Sequence, residues 1–257
     1  IPTELATRAS FVITGVWWLA FTVPLLRTYR QTHCKPAEDA RRAVHDALAG
    51  LVATMRKIAC DRALLYFMIA FFFYIDGVHT VISMSTSYGT SLGIDSTQLV
   101  LALLVTQFVA FPSAIAYGRL ADAFGTRRMI VIAVVAYACI VLFAAFFLKS
   151  ATEFWILAIA VGLFQGGIQA LSRSYFGKLV PKENANEFYG FFDIFGKYAS
   201  VMGTLLVSVI TQLTGNASLG VLSIGVLLVV GLVFLLRMPQ AGRRAGHDAG
   251  ADDRVAA

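Results

Sequence analysis

Apolar positions fall into seven long runs, residues 9–26, 63–84, 97–117, 129–148, 154–176, 186–213 and 219–236, separated by short polar stretches with one exception. Each run is close to or above the roughly 20 residues that carry a helix across about 30 Å of hydrocarbon, so the pattern predicts seven membrane-spanning helices and an all-α membrane protein. The exception is the polar segment 27–62. Within it, residues 37–55 set Ala43, Leu48, Leu51, Val52 and Met55 against Arg41, Arg42, His45 and Asp46, the pattern of an amphipathic helix. Such a helix lies on a membrane surface or serves as a solvated linker, and the spacing leaves both open. The connection 85–96 is short and contains glycine, and residues 238–257 are expected to form an unstructured tail.

Composition narrows the class. Hydrophobic residues make up 58% of the 257, charged residues 14%, and the mean hydropathy is +0.73, which excludes an ordinary soluble domain and predicts an integral multi-pass protein. The net charge of +6 is no sign of nucleic-acid binding, because the basic residues cluster between the apolar runs. Eight Lys and Arg fall in 27–62, three in 118–128, three in 173–186 and four from 237 onward, against Arg8 and Lys149 on the opposite side. By the positive-inside bias the first group of segments is cytoplasmic, and a bacterial inner membrane is the expected location. Cys34, Cys60 and Cys139 have neither the spacing of a metal site nor an even disulfide framework, and no metal or cofactor is expected.

Charge inside the runs is the feature that calls for a function. An ionisable side chain near a bilayer centre costs about 2.5–3.5 kcal/mol on insertion scales and is kept where it meets a partner or a water-filled path. Asp76 and His79 sit midway along the second run, Gln165 and Gln169 in the fifth, and Asp193 and Lys197 in the sixth. Asp76 is a candidate proton carrier or a structural carboxyl bonded to a neighbouring helix. His79, three residues on, is suited to relay a proton or to bond Asp76. Asp193 and Lys197, four apart, either neutralise each other along one helix face or form a substrate-sensitive pair that exchanges with Asp76. Gln165 and Gln169 share a face with Ser172 and Arg173 and either contact a polar substrate or join helices; Gly162 and Gly166 form a GxxxG that predicts close helix packing.

After the polar segment the six remaining runs divide as two sets of three, the uncharged third member of each (129–148 and 219–236) expected to face lipid. Inverted three-helix repeats of this kind build many transporters, and Asp76-Gly77 and Gln165-Gly166 occupy matching places in the two sets. The stretch 118–128, with Gly118, Asp122, Gly125 and the pair Arg127-Arg128, resembles the cytoplasmic loop signature of the major facilitator superfamily. The segments YIDGVHTV, TQFVAFPSAIAYG, GLFQGGIQALSRSYFGKLVP and EFYGFFDIFGKYAS resemble the branch of that superfamily containing vacuolar amino-acid effluxers linked to autophagy.

The resemblance implies twelve helices, of which this chain holds the sixth to the twelfth: one helix, a cytoplasmic linker, and the six-helix C-terminal bundle. It implies a secondary transporter of small polar metabolites, amino acids among them, working by alternating access with the missing N-terminal half as partner; coupling to protons is suggested by Asp76. Gly118, Asp122, Gly125, Arg127, Arg128 and Arg173 are then expected at a cytoplasmic gate, with Asp122 held at the positive end of a neighbouring helix. A half-transporter or assembly subunit without activity of its own stays open. Enzymatic chemistry is not expected, since HExxH and GxxxxGK[ST] are absent from the sequence.

Overall fold

In a computed structural model, residues 3–28, 40–181 and 185–239 are described. They form α1 (Thr3–Thr28), α2 (Ala40–Cys60), α3 (Arg62–Ser91), α4 (Ser96–Phe124), α5 (Thr126–Phe147), α6 (Ala151–Leu179), α7 (Ala185–Thr214) and α8 (Ala217–Arg237). All but α2 are long and apolar enough to cross a membrane. The expected start of the amphipathic helix at residue 37, the tail from residue 240 and Lys182 lie outside the described residues.

The chain divides into residues 1–47 and 48–257. In the first unit, α1 contains Pro24 and exposes its apolar side chains, Trp17 and Trp18 included. The second unit is a bundle of α3 to α8.

The helices run further than the apolar runs. At 30 residues, α3 and α7 are about 45 Å long, enough to project beyond the hydrocarbon layer, so the turns between helices shrink to a few residues. The expected loop 85–96 is helical as far as Ser91. The expected loop 118–128 is helical except at Gly125, whose φ of +91° is a backbone conformation that suits glycine and breaks α4 from α5. The other starts are capped by side chains: Asp61 accepts from the Ala63 and Leu64 N–H groups at α3, Asp95 from Thr97 at α4, and Asn216 from Ser218 at α8. Ser150 and Glu153 form a capping box at α6.

Packing follows a two-fold plan. α4 lies on α6 and α3 on α7, α3 lies on α8 and α5 on α6, and α5 packs with α8. Exchanging α3 with α6, α4 with α7 and α5 with α8 maps each of these contacts onto another, as two inverted three-helix repeats require. The α4–α6 seam is close because of the GxxxG: a Cβ at Gly162 would strike the Thr106 carbonyl oxygen and one at Gly166 that of Ala110. Thr106 and Ser113 of α4 reinforce it by donating to the carbonyls of Ala158 and Leu163.

The third helices, expected to face lipid, keep more than half of their apolar segments uncovered, and the second helices are more open still. Their apolar segments are 39% (α5) and 44% (α8) buried, against 28% for α4 and only 17% for α7. The second helices are the more exposed ones: α4 packs mainly on α6, and α7 on α3 and α8, and each leaves its remaining side open.

Two outcomes check this fold. Gly166→Val should destabilise the bundle by roughly 1–3 kcal/mol through overpacking against backbone, read as a lowered melting temperature in detergent. Cysteines at Ser91 and Ala123, exposed at opposite ends of α3 and α4, should react with an impermeant thiol reagent from opposite sides of the membrane, Ala123 from the cytoplasm.

Candidate transport site

α3 is the most buried span, with 56% of its apolar segment covered, and Asp76 lies at its centre with no exposed surface. The carboxyl Oδ1 accepts from the Gly203 N–H of α7 at 2.9 Å and from Thr80 Oγ1 at 3.4 Å. Gly203 makes this approach possible, since a Cβ there would run into both Asp76 and Thr80. Oδ2 is buried and has no hydrogen-bond partner among the described residues. Asp76 therefore joins α3 to α7 through one oxygen and holds the other in reserve. His79 is half-buried and takes no part in that contact; Thr80, one turn on from Asp76, has the position expected of it.

Towards the basic end of the bundle, Arg173 of α6 meets Asp193 of α7 at 3.0 Å. Its guanidinium lies 5.4 Å from the centre of the Tyr189 ring, and the Tyr189 hydroxyl donates to the Arg173 carbonyl at 3.5 Å. The expected neutralising pair Asp193–Lys197 is thereby corrected: the carboxylate turns to a guanidinium on the facing helix, while Lys197 is exposed and has no ion pair among the described residues. Nor does Lys197 meet Asp76. It precedes Gly203 by six residues, which places it about 9 Å along α7 and about 120° around it. Arg173, expected as a gate residue, thus belongs with Asp193.

Gln165 and Gln169 share a face but not an environment. Gln165 is buried with its Oε1 unpartnered among the described residues, whereas Gln169, a turn nearer the basic end, is exposed. Ser172 is wholly buried, and Tyr74 of α3 bonds its hydroxyl at 2.7 Å, tying the two first helices together. Beside that bond, Phe71 and Phe176 stack on Phe192 at centroid distances of 4.1 and 4.5 Å and seal the interior between α3, α6 and α7.

The expected gate divides. Arg127 donates to the carbonyls of Leu235 and Leu236 at 2.7 and 3.0 Å, closing the C-terminal end of α8, where orphan carbonyls and the helix dipole both favour a cation. Lys178 donates to Thr126 at 3.1 Å, joining α6 to α5. Asp122, Arg128 and Gly118 are exposed or open to one side, and Asp122, Arg127 and Arg128 line a cleft with Tyr175 and Lys178. No group of three His, Cys, Asp or Glu side chains fit to hold a metal occurs among the described residues.

Thr80, Gly203, Tyr74 and Tyr189 were not legible as site residues, whereas Ser172 was placed on the polar face of α6 by its spacing. Thr80 has a local signal, standing four residues after a buried acid; Gly203 has none, because its role depends on which helix lies opposite.

Residues 2–247 match the family described as "Vacuole effluxer Atg22 like". The chain is 47% identical over 240 residues to the "Uncharacterized MFS-type transporter YxiO" of Bacillus subtilis, an alignment covering 93% of this chain and 55% of that protein. It is 28% identical over 257 residues to "Autophagy-related protein 22" of Cryptococcus neoformans, covering 92% and 45%. To "Autophagy-related protein 22-1" of Aspergillus niger it is 25% identical over 259 residues, covering 91% and 42%. The chain spans about half the length of these relatives.

The pairing of Arg173 with Asp193 makes a measurable difference. Both side chains are about half exposed, 58% and 45%, so breaking the pair by Arg173→Gln should change stability by no more than about 1 kcal/mol. Lys197→Met should leave the melting temperature unchanged, and Asp193→Asn should not alter its effect. A large loss on Lys197→Met that Asp193→Asn restores would reinstate the pair along α7.

Proposed function

Because the chain belongs to the Atg22-like family of MFS-type transporters, we propose that it supplies the second six-helix bundle, with the helix before it, of a proton-coupled secondary transporter working by alternating access. The cargo is a small polar metabolite, with amino acids the class that the family resemblance implies, and the partner is a preceding bundle facing α4 and α7. Family and relatives alike are transporters and not enzymes. The Bacillus relative supports a bacterial cytoplasmic membrane as the location.

The observation that carries this reading is the polar row Gln169, Arg173, Asp193 and Lys197, exposed or half-exposed on two spans that are predominantly apolar. Charges left uncovered within a membrane protein need water or a polar cargo beside them. A zwitterion has the complementary chemistry: its carboxylate competes with Asp193 for Arg173, and its ammonium competes with Arg173 for Asp193. A half-exposed pair is held by only about 0–1 kcal/mol, so a cargo separates it at small cost. Lys197, already unpaired among the described residues, offers a further site for an anionic group.

Coupling falls to Asp76. Taking up a proton on the unpartnered Oδ2 turns a buried anion into a neutral acid without breaking the bonds that Oδ1 accepts from Gly203 and Thr80. The charge at the α3–α7 seam, and hence its readiness to shift, then follows proton occupancy.

Proteoliposomes of the full-length protein test this. Asp76→Asn, close to isosteric, should preserve counterflow of substrate and abolish accumulation driven by a pH gradient. Accumulation that survives in Asp76→Asn would remove Asp76 from coupling, and the loss of both activities together with the melting transition would make its role structural.

A further inference from the structure

The amphipathic helix α2 is not used by the transport reading, and it has a surface of its own. α2 is not long and apolar enough to span a membrane, yet it ends directly at one. Asp61, the single residue between α2 and α3, has extended backbone angles (φ −96°, ψ 105°), so α2 does not continue along the axis of α3 but departs from it at the basic end of the bundle.

Within the second unit, the last turns of α2 have a buried side and an uncovered side, and Arg56, four residues after Val52, shares the uncovered one. Thr54 and Ile58 are buried, and Ile58 belongs to the bundle core. Val52 and Met55, three residues apart and so neighbours on the helix surface, are 61% and 54% exposed. Arg56 and Lys57 are exposed beside them. The helix as a whole carries Arg41, Arg42, Arg56 and Lys57 against one acid, Asp46.

We propose that this surface docks on the anionic phospholipid of the leaflet at the basic end, with Val52 and Met55 sunk among the acyl chains and Arg56 and Lys57 on lipid phosphates. The occupant follows from position and charge. A helix tethered by one residue to the end of a membrane span has that leaflet within reach, and its uncovered side carries Val52 and Met55 with the cation of Arg56 beside them and that of Lys57 at the edge. Apolar burial together with attraction to anionic headgroups is what holds an interfacial helix. The inference is independent of cargo and coupling.

The test uses nitroxide labels at Val52→Cys, Met55→Cys and Lys57→Cys in full-length protein with Cys34, Cys60 and Cys139 replaced by Ser. The protein is reconstituted in vesicles of phosphatidylcholine with or without phosphatidylglycerol. Collision with oxygen, which enters the bilayer, is compared with collision with a water-soluble nickel chelate. The ratio of oxygen to nickel contact should be several-fold higher at Val52 and Met55 than at Lys57, and highest with phosphatidylglycerol present. Arg56→Gln with Lys57→Gln should return the Val52 ratio in anionic vesicles to its value in phosphatidylcholine. Nickel contact at Val52 and Met55 equal to that at Lys57 would overturn the proposal in favour of a solvated linker. Low contact with both reagents would overturn it in favour of a protein cover, and indifference to phosphatidylglycerol would overturn the part assigned to the basic residues.

Discussion

Hydrocarbon offers a polypeptide no hydrogen-bond partner and no gain from burying one apolar surface against another, and the architecture of this bundle answers both conditions. The first makes each span a helix. The second means that helices hold together through close approach and through the few polar bonds that close approach permits. The α4–α6 seam meets it with Gly162 and Gly166 and with hydroxyls of α4 donating to carbonyls of α6. At the related α3–α7 seam, Gly203 likewise admits its neighbour, but the group admitted is the carboxyl of Asp76.

That difference between two seams of one plan separates scaffold from machinery. A hydroxyl donating to a carbonyl has one protonation state and holds permanently. A buried carboxyl with one free oxygen has two, which is why the proposed coupling is assigned to the seam it bridges. The aromatic packing of Phe71, Phe176 and Phe192, with the Tyr74–Ser172 bond beside it, keeps the first helices together while the outer face of α7 stays open.

At the basic end the same residue types perform separate tasks. Arg127 satisfies the last carbonyls of α8 and Lys178 ties α6 to α5, so these cations are structural braces as well as topological markers. Arg173 is different, because its pair with Asp193 is about half exposed to solvent and weakly held, which is what the proposed cargo site relies on. With α2 on the adjoining leaflet, as proposed, this end of the bundle would be fixed to the membrane.

Much of this was legible along the chain, because lipid imposes long one-dimensional rules. Span number, the two sets of three and the packing role of Gly162 and Gly166 follow from apolar length and small-residue spacing, and the motifs of residues 66 to 203 pointed to the family to which the chain belongs. Where helices end was less legible, since spans that project beyond the bilayer continue through polar residues, as at 118–124. Tertiary structure alone decided the partners. Local spacing put Asp193 with Lys197 and Asp76 with His79; the facing helices put Asp193 with Arg173 and Asp76 with Gly203, because a charge in a low-dielectric bundle is governed by what lies across the seam, and sequence distance carries no record of that.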